Sequence, residues 1–179
     1  MKLSYKTFLL DFKHPFGVSS NTRKQTPSVF VKLETDGVVG YGEACLPAYL
    51  GETVEETIAF FEMAKQVLEA TTPKDLLNDL LQRMEALSQN HNAAKAAIDI
   101  ALHDLFAKLK GISYRQMMGF GEASPVSTSF TIGIDTEEIL AKKIRDASAF
   151  SILKIKAGTQ FEKELIRTIL KYTDKPLYV

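Results

Sequence analysis

Alternating apolar and other side chains predict a small antiparallel sheet in the first part of the chain. Residues 3–12 are rich in aromatic and aliphatic side chains, and in residues 29–34 every second side chain is Val or Leu. The dipeptide Asp36-Gly37 follows and favours a hairpin turn, because glycine readily adopts a positive φ. Residues 14–28 are polar and have neither a helical nor a strand period, so we predict a loop there.

Three helices are predicted after this sheet. Thr53 and Glu56 form a capping-box pattern at the start of the first helix. Pro73 begins the second helix, since a proline at the first helical position loses no hydrogen bond. Residues 92–109 are Ala-rich and form the third helix, which ends before Gly111. The apolar faces of the first two helices consist of Ile58, Phe61, Ala64 and Leu68, and of Leu76, Leu77, Leu80, Met84 and Leu87.

Strands and helices alternate in the last third of the chain. Strands are predicted at residues 126–134, 152–156 and 177–179, and helices at 136–149 and 161–172. This β-α-β-α-β order requires parallel strands joined by right-handed crossovers.

The second of these strands carries charge on one face only. Side chains alternate along a strand, so Lys154 and Lys156 share one face while Leu153 and Ile155 share the other. A central strand of an open doubly wound sheet is apolar on both faces, which this strand is not. One apolar and one polar face fit a (β/α) barrel, whose inward positions near the C-terminal mouth form the active site.

Two ammonium groups side by side are costly in a barrel mouth. Their mutual repulsion favours the loss of a proton from one of them, which makes that lysine usable as a base. The alternative interpretation is an exposed edge strand with two solvated lysines. Gly158 follows the lysines and lets the backbone approach a ligand closely, which favours a site.

Composition excludes several classes of function. The chain has 179 residues, and its 22 Lys and Arg balance its 22 Asp and Glu, so no net charge attracts nucleic acid or an anionic membrane. Cys45 is the single cysteine, which rules out an internal disulfide and a Cys-rich zinc site. The start of the chain does not resemble a secretory signal, and no segment is apolar enough to span a membrane. We expect a cytoplasmic protein that forms a homo-oligomer and binds neither nucleic acid nor membrane.

Five segments together resemble the muconate-lactonising branch of the enolase superfamily. The similarity is carried by LKIKAG at 153–158, GVVGYGEACLP at 37–47, AAIDIALHDL at 96–105, SFTIGI at 129–134 and PLYV at 176–179. Within that branch, Thr131 together with Lys154 and Lys156 is most similar to the dipeptide epimerases. The resemblance implies an α+β capping domain over residues 1–124, followed over residues 125–179 by the first strands and helices of a (β/α) TIM-type barrel, which is a modified β7α barrel in the family.

The resemblance also implies a reaction and a set of site residues. The activity would be epimerisation of a dipeptide by 1,1-proton transfer at the α-carbon, through an enediolate that Mg²⁺ stabilises. Lys156 would be the acid/base on one face, Lys154 would lie beside it and contact the carboxylate, and Thr131 would bind the dipeptide. Arg23 and Lys24, in a loop that closes over the substrate in the family, are candidate partners for a substrate anion.

The magnesium ligands and the opposing lysine of the family have no counterpart within residues 1–179. The metal ligands are expected just beyond Val179, which leads us to expect a longer protein. Muconate cycloisomerase and o-succinylbenzoate synthase share the two lysines and stay open as alternatives. A barrel aldolase that uses Lys156 as a Schiff base, and a non-catalytic fragment, are alternatives of other classes.

Overall fold

The computed structural model describes residues 1–18, 21–71, 77–122, 125–158 and 160–179. They form two compact units. The first unit consists of Met1–Leu10 and Thr26–Ala123, and the second consists of Asp11–Gln25 and Ser124–Val179. The predicted capping domain, residues 1–124, includes residues 11–25, whereas in the structure these residues pack within the second unit.

The first sheet has three strands in the order β1 (Lys2–Val18), β2 (Asn21–Thr35) and β3 (Val38–Cys45). β2 and β3 are antiparallel, in a register that runs from Ser28 opposite Cys45 to Thr35 opposite Val38. The turn between them has a φ of 51° at Asp36 and 75° at Gly37, as a tight hairpin with two left-handed residues requires. The hairpin predicted from this dipeptide is therefore confirmed.

The loop predicted at residues 14–28 is wrong. Most of these residues are strand, because β1 continues to Val18 and β2 begins at Asn21. In this part of the strands the polar residues His14 and Arg23 take half-buried positions, and Lys24 is exposed. The period of two that marks a half-buried strand is therefore missing, and the backbone pairing leaves no signal in the sequence.

The helices of the first unit agree with the sequence pattern. Helix α1 (Val54–Glu69) begins at a complete capping box of Thr53 and Glu56. Helix α2 (Leu77–Ala86) buries Leu80 and Met84, while its predicted start at Pro73 and Leu76 lies outside the described residues. Helix α3 (Asn92–Leu109) has the predicted bounds.

Gly111 ends helix α3 through its left-handed backbone. Its φ is 67°, its N–H donates to the carbonyl of Lys108, and the N–H of Ile112 donates to that of Ala107. These two bonds form a Schellman motif, the geometry for which glycine is selected after a helix. A short helix, α4 (Tyr114–Met117), follows.

Strand β3 lies directly against helix α3. A Cβ atom on Gly40 would collide with the carbonyl oxygen of Ala101, and a Cβ atom on Gly42 with that of Ala97. Small residues on both elements therefore let the two backbones approach closely. The largest fully buried side chains around this contact are Leu33, Phe60, Phe61, Leu68, Leu80, Ile98, Leu102 and Leu105.

The second unit has the predicted β-α-β-α-β order with parallel strands. Its elements are β4 (Ser129–Ile132), α5 (Glu137–Asp146), β5 (Ile152–Ile155), α6 (Glu162–Leu170) and β6 (Leu177–Tyr178). β5 lies between β4 and β6 and is parallel to both. The start of a (β/α) barrel after a capping domain is therefore the architecture of the chain.

Several elements of this unit are shorter than predicted. The first strand was expected to begin at residue 126, but Val126 is 89% exposed and the pairing starts at Ser129 opposite Ile152. A strand extends only as far as its partner, so the four residues of β5 limit β4. Thr136 precedes α5 as predicted, but its side chain makes no capping bond, and its own N–H donates to Asp135.

The helices of the second unit cover one face of its sheet. Ile132, Leu153 and Ile155 are buried. The core of this unit consists of these three residues with Leu140, Ile144, Ala147 and Ile169, and Phe130, Phe150, Leu165 and Leu177 pack against it. In the part of the chain that the structure describes, we find no helix with the length and apolarity needed to cross a bilayer.

The close contact between β3 and α3 gives a first prediction. Gly42→Ala should destabilise the protein by about 1–3 kcal/mol, because the added methyl group forces strand and helix apart. Urea unfolding followed by circular dichroism measures this change. Gly121→Ala is the control, since no described atom lies within 4 Å of a Cβ at Gly121. Equal effects of the two variants would contradict the close packing.

Neighbouring residues of β5 give a second prediction. Leu153→Ala should cost about 2–5 kcal/mol of unfolding free energy, because it leaves a cavity between sheet and helices. Lys154→Ala, on the opposite face, should change stability by less than about 0.5 kcal/mol. The same unfolding experiment compares them, and a larger loss for the lysine variant would mean that the faces of β5 are assigned the wrong way round.

Candidate active site

Thr131, Lys154 and Tyr178 form a row across the second sheet. The parallel register places Thr131 opposite Lys154, and Lys154 opposite Tyr178. Residues opposite each other in neighbouring strands point to the same face of a sheet. The structure therefore brings together Thr131 and Lys154, for which the family resemblance implies substrate binding.

Lys156 continues the same face just after the end of β5. Its backbone N–H donates to the carbonyl oxygen of Ile132 at 3.0 Å, so the chain stays beside β4. Because side chains alternate along extended chain, Lys156 points to the same side as Lys154. Lys154 is exposed, whereas Lys156 is half-buried. The predicted base is thus better shielded from water than its neighbour.

The two lysines make this face positive. Among the described residues, neither Lys154 nor Lys156 has a carboxylate oxygen within the 4.0 Å of an ion pair, whereas Lys95, Lys143 and Lys171 each have one. Two cations that none of the described carboxylates neutralises are suited to bind the carboxylate of a ligand. The hydroxyl groups of Thr131 and Tyr178 add hydrogen-bonding groups to the same face.

Arg23 lies on a different element from the other predicted residues. It is part of β2, and its guanidinium carbon lies 5.8 Å from the ring centroid of Phe12, which is within the range of a cation–π contact. Lys24 follows it and is exposed. Both residues belong to the same compact unit as Thr131 and the two lysines.

A cavity of about 210 Å³ lies beside Thr131 within the second unit. It is bounded by residues of β1, by the end of β4 and by α5. Its lining residues are Lys13, His14, Pro15, Phe16, Phe130, Thr131, Gly133, Lys143 and Asp146. Residues 13–16 of β1 are therefore direct neighbours of Thr131.

Sequence reasoning missed some neighbours of the site. Tyr178 is in the segment PLYV, whose position opposite Lys154 follows only from the strand register. His14 lacks the sequence spacing of a metal ligand, yet its Nε2 lies 2.8 Å from the Oδ2 of Asp146. A pair separated by 132 positions has no local signal.

The described residues do not fit a magnesium ion. In the ranges that the structure covers, no group of three His, Cys, Asp or Glu side chains is placed to hold a metal. Mg²⁺ prefers carboxylate and water oxygens in an octahedral arrangement, and ammonium groups repel it. The described residues of the polar face of the second sheet therefore do not by themselves form a magnesium site.

Comparison with known families places the first unit. Residues 6–119 match the N-terminal domain of the mandelate racemase / muconate lactonizing enzyme family. A curated relative, the L-Ala-D/L-Glu epimerase of Bacteroides thetaiotaomicron, is 43% identical over 180 residues, which cover 100% of this chain and 46% of the relative. The chain thus spans about half the length of the curated relatives it matches.

Solved structures extend the similarity to both units. A dipeptide epimerase from Enterococcus faecalis V583, complexed with Mg and the dipeptide L-Leu-L-Tyr, matches with a TM-score of 0.84 and 28% identity. That match covers 98% of this chain and 51% of the other. A substrate-liganded complex of the L-Ala-D/L-Glu epimerase from Bacillus subtilis matches with a TM-score of 0.85 and 25% identity, over 99% and 52% of the two chains.

The matched domain covers more than half of the chain, and the parallel strands with their polar face continue the similarity beyond it. The chain therefore belongs to the mandelate racemase/muconate lactonizing enzyme family of the enolase superfamily, and it consists of the capping domain and the beginning of the barrel.

Proposed function

We propose that this chain provides one half of the active site of a dipeptide epimerase. The observation that carries the proposal is the row of Thr131 and Lys154 with Lys156 beside it, on the face of a parallel sheet that the helices do not cover. The 43% identity to an L-Ala-D/L-Glu epimerase supports this activity over that of other branches of the superfamily.

Lys156 acts as the base on one face of the α-carbon. As a neutral amine it takes the α-hydrogen as a proton and becomes an ammonium, while the electron pair of the C–H bond passes toward the carboxylate. A second acid on the opposite face returns a proton to the α-carbon, which inverts the configuration. That second acid is the opposing lysine that the resemblance implies, which we assign to a position outside residues 1–179.

Lys154 and Thr131 hold the substrate in place for this transfer. The ammonium of Lys154 binds the substrate carboxylate, where negative charge grows as the proton leaves, and the hydroxyl of Thr131 bonds the dipeptide. Arg23 is the residue that would pair with an anionic side chain of the dipeptide. Thr131 and Lys154 are best placed for these contacts if the substrate lies along the row that runs across β4 and β5.

Mg²⁺ belongs to the proposal through the relatives that are complexed with it. When bound, it supplies neutralisation of negative charge on the substrate carboxylate. The described residues contain no cluster that could hold it. Following the family resemblance, we assign its ligands to positions just beyond Val179.

Hydrogen exchange tests the activity. The complete gene product, incubated in D₂O with Mg²⁺ and L-Ala-L-Glu or other Ala-containing dipeptides, should exchange the α-hydrogen and add one mass unit to the dipeptide. Lys156→Ala should reduce the exchange rate by about 10²–10⁴-fold, because it removes the proton acceptor. Lys142→Ala, at an exposed position of α5, is the matched control and should leave the rate unchanged. The epimerase proposal fails if no dipeptide exchanges its hydrogen.

Lys154 is tested separately through binding. Lys154→Ala should raise KM for a dipeptide by about 10–100-fold, because a charge-assisted hydrogen bond to the carboxylate is lost. Initial-rate kinetics at several dipeptide concentrations measure this effect. An unchanged KM would remove Lys154 from carboxylate binding.

The same preparation distinguishes the alternatives. Muconate cycloisomerase and o-succinylbenzoate synthase share the two lysines, and both are recognised by turnover of their own substrates without exchange of a dipeptide. A Schiff-base aldolase would be trapped at Lys156 by borohydride in the presence of a carbonyl substrate. Trapping without dipeptide exchange would replace the proposal.

A further inference from the structure

The outer parts of β1 and β2 belong to the barrel unit and not to the capping unit. Residues 11–18 and 21–25, here called the ribbon, are in the same compact unit as β4 and α5. The ribbon carries Arg23, and its β1 side borders the cavity next to Thr131. A residue that fixes the ribbon on β4 and α5 therefore also determines the position of Arg23 relative to Thr131 and Lys154.

Lys143 of α5 is placed to fix the ribbon. Its side chain is only 3% exposed, and its Nζ lies 2.9 Å from the carbonyl oxygen of Pro15 and 3.1 Å from the Oδ2 of Asp135. The other carboxylate oxygen of Asp135 accepts the N–H of Thr136 at 2.9 Å. One buried ammonium thus joins the ribbon, the turn after β4 and the helix α5.

A buried lysine contributes little to stability for its own sake. Removing an ammonium from water is costly, and an apolar side chain of similar size would avoid that cost. The ammonium instead constrains the geometry, because its hydrogen bonds are satisfied only when Pro15 and Asp135 are in fixed positions. The choice of lysine at this site therefore favours a role in geometry.

Two glycines complete the contact. The N–H of Ile134 donates to the carbonyl oxygen of Gly17 at 3.1 Å. A Cβ on Gly17 would be 2.5 Å from the oxygen of Ile134, and a Cβ on Gly133 would be 2.7 Å from the oxygen of Gly17. The backbone of the ribbon therefore rests directly on the backbone that follows β4, two residues after Thr131.

A second polar contact joins the ribbon to the end of helix α5. His14 bonds Asp146, and this hydrogen bond, together with nearby Lys13, holds the pKa of Asp146 below its ordinary value. A carboxyl group whose pKa is lowered by folding stabilises the folded state above its unfolded pKa of about 4 and loses that effect as the pH falls below it. The contact between His14 and Asp146 is therefore retained at neutral pH. Experiments at that pH report on the contact of Lys143 alone.

We propose that Lys143 is a positioning residue of the substrate site, which holds the ribbon on the end of β4 so that Arg23 meets the anionic side chain of a bound dipeptide. This inference rests on the proposed function. Lys143 contacts no substrate and acts through Pro15 and the Gly17–Ile134 hydrogen bond.

Amide exchange tests the contact without any substrate. In Lys143→Met of the complete gene product, the amide of Ile134 should exchange about tenfold faster at neutral pH, because the ribbon no longer covers it. Lys175→Met is the matched control: Lys175 also donates to two backbone carbonyls, of Ala147 and Ser148, but none of them is in the ribbon. Unchanged exchange at Ile134 in the Lys143 variant would overturn the proposal.

Kinetics test the positioning. For L-Ala-L-Glu, Lys143→Met should raise KM about tenfold and leave kcat within about twofold, while KM for L-Ala-L-Ala should change little. Lys175→Met should leave both KM values unchanged. Faster amide exchange with an unchanged KM for L-Ala-L-Glu would show that the contact is purely structural, and it would contradict the positioning role.

Gly17→Ala provides a second route to the same disruption. It pushes the ribbon away from Ile134 without changing any charge, so it should reproduce both effects even if the lysine variant folds poorly. Combining it with Lys143→Met should add little, because both substitutions break one contact. If the wild-type protein turns over no dipeptide, the proposed function fails together with the positioning role, while the exchange of Ile134 still decides whether Lys143 fixes the ribbon.

Discussion

The parallel pairing of β4, β5 and β6 is the constraint on which the candidate site depends. In that register Lys154 faces Thr131 and Tyr178, while the residues on either side of it pack against the helices. A slip of one residue would bury an ammonium in the core and expose Leu153, at a cost of several kcal/mol. The apolar face therefore fixes the position of the polar one. The packing of Leu153 and Ile155 determines where the side chains of the candidate site lie.

Glycine solves the same problem in both units. Gly42 lets the strand β3 touch helix α3, and Gly17 with Gly133 lets the ribbon touch the end of β4. None of these three residues has a positive φ, so the reason for glycine is space and not backbone strain. In the first unit the contact supports a core of large side chains, whereas in the second it lies beside Thr131. A substitution at the first contact is therefore a matter of stability, and one at the second bears on the site.

Local patterns predicted those parts of the fold whose cause is local. The capping box at Thr53, the hairpin at Gly37 and the helix end at Gly111 each follow from a few neighbouring residues. The alternation of side chains around Lys154 likewise predicts the polar face from the sequence alone. The ribbon could not be predicted in this way. Its strands have no apolar period, and the residues that hold it, Lys143 among them, are more than a hundred positions away in the sequence.

The roles proposed for Lys154 and Lys156 make demands that differ from those of a magnesium site. A base must give up its charge to accept a proton, and a carboxylate-binding group must keep its own, so each lysine works best with no protein carboxylate as a partner. A divalent cation needs several such carboxylates. Both requirements can be met around one substrate if the cationic and anionic groups are on different strands. In the described residues the polar face carries Thr131, Lys154 and Lys156, and no acidic cluster. A barrel provides this separation, because side chains from the ends of several different strands converge at its mouth.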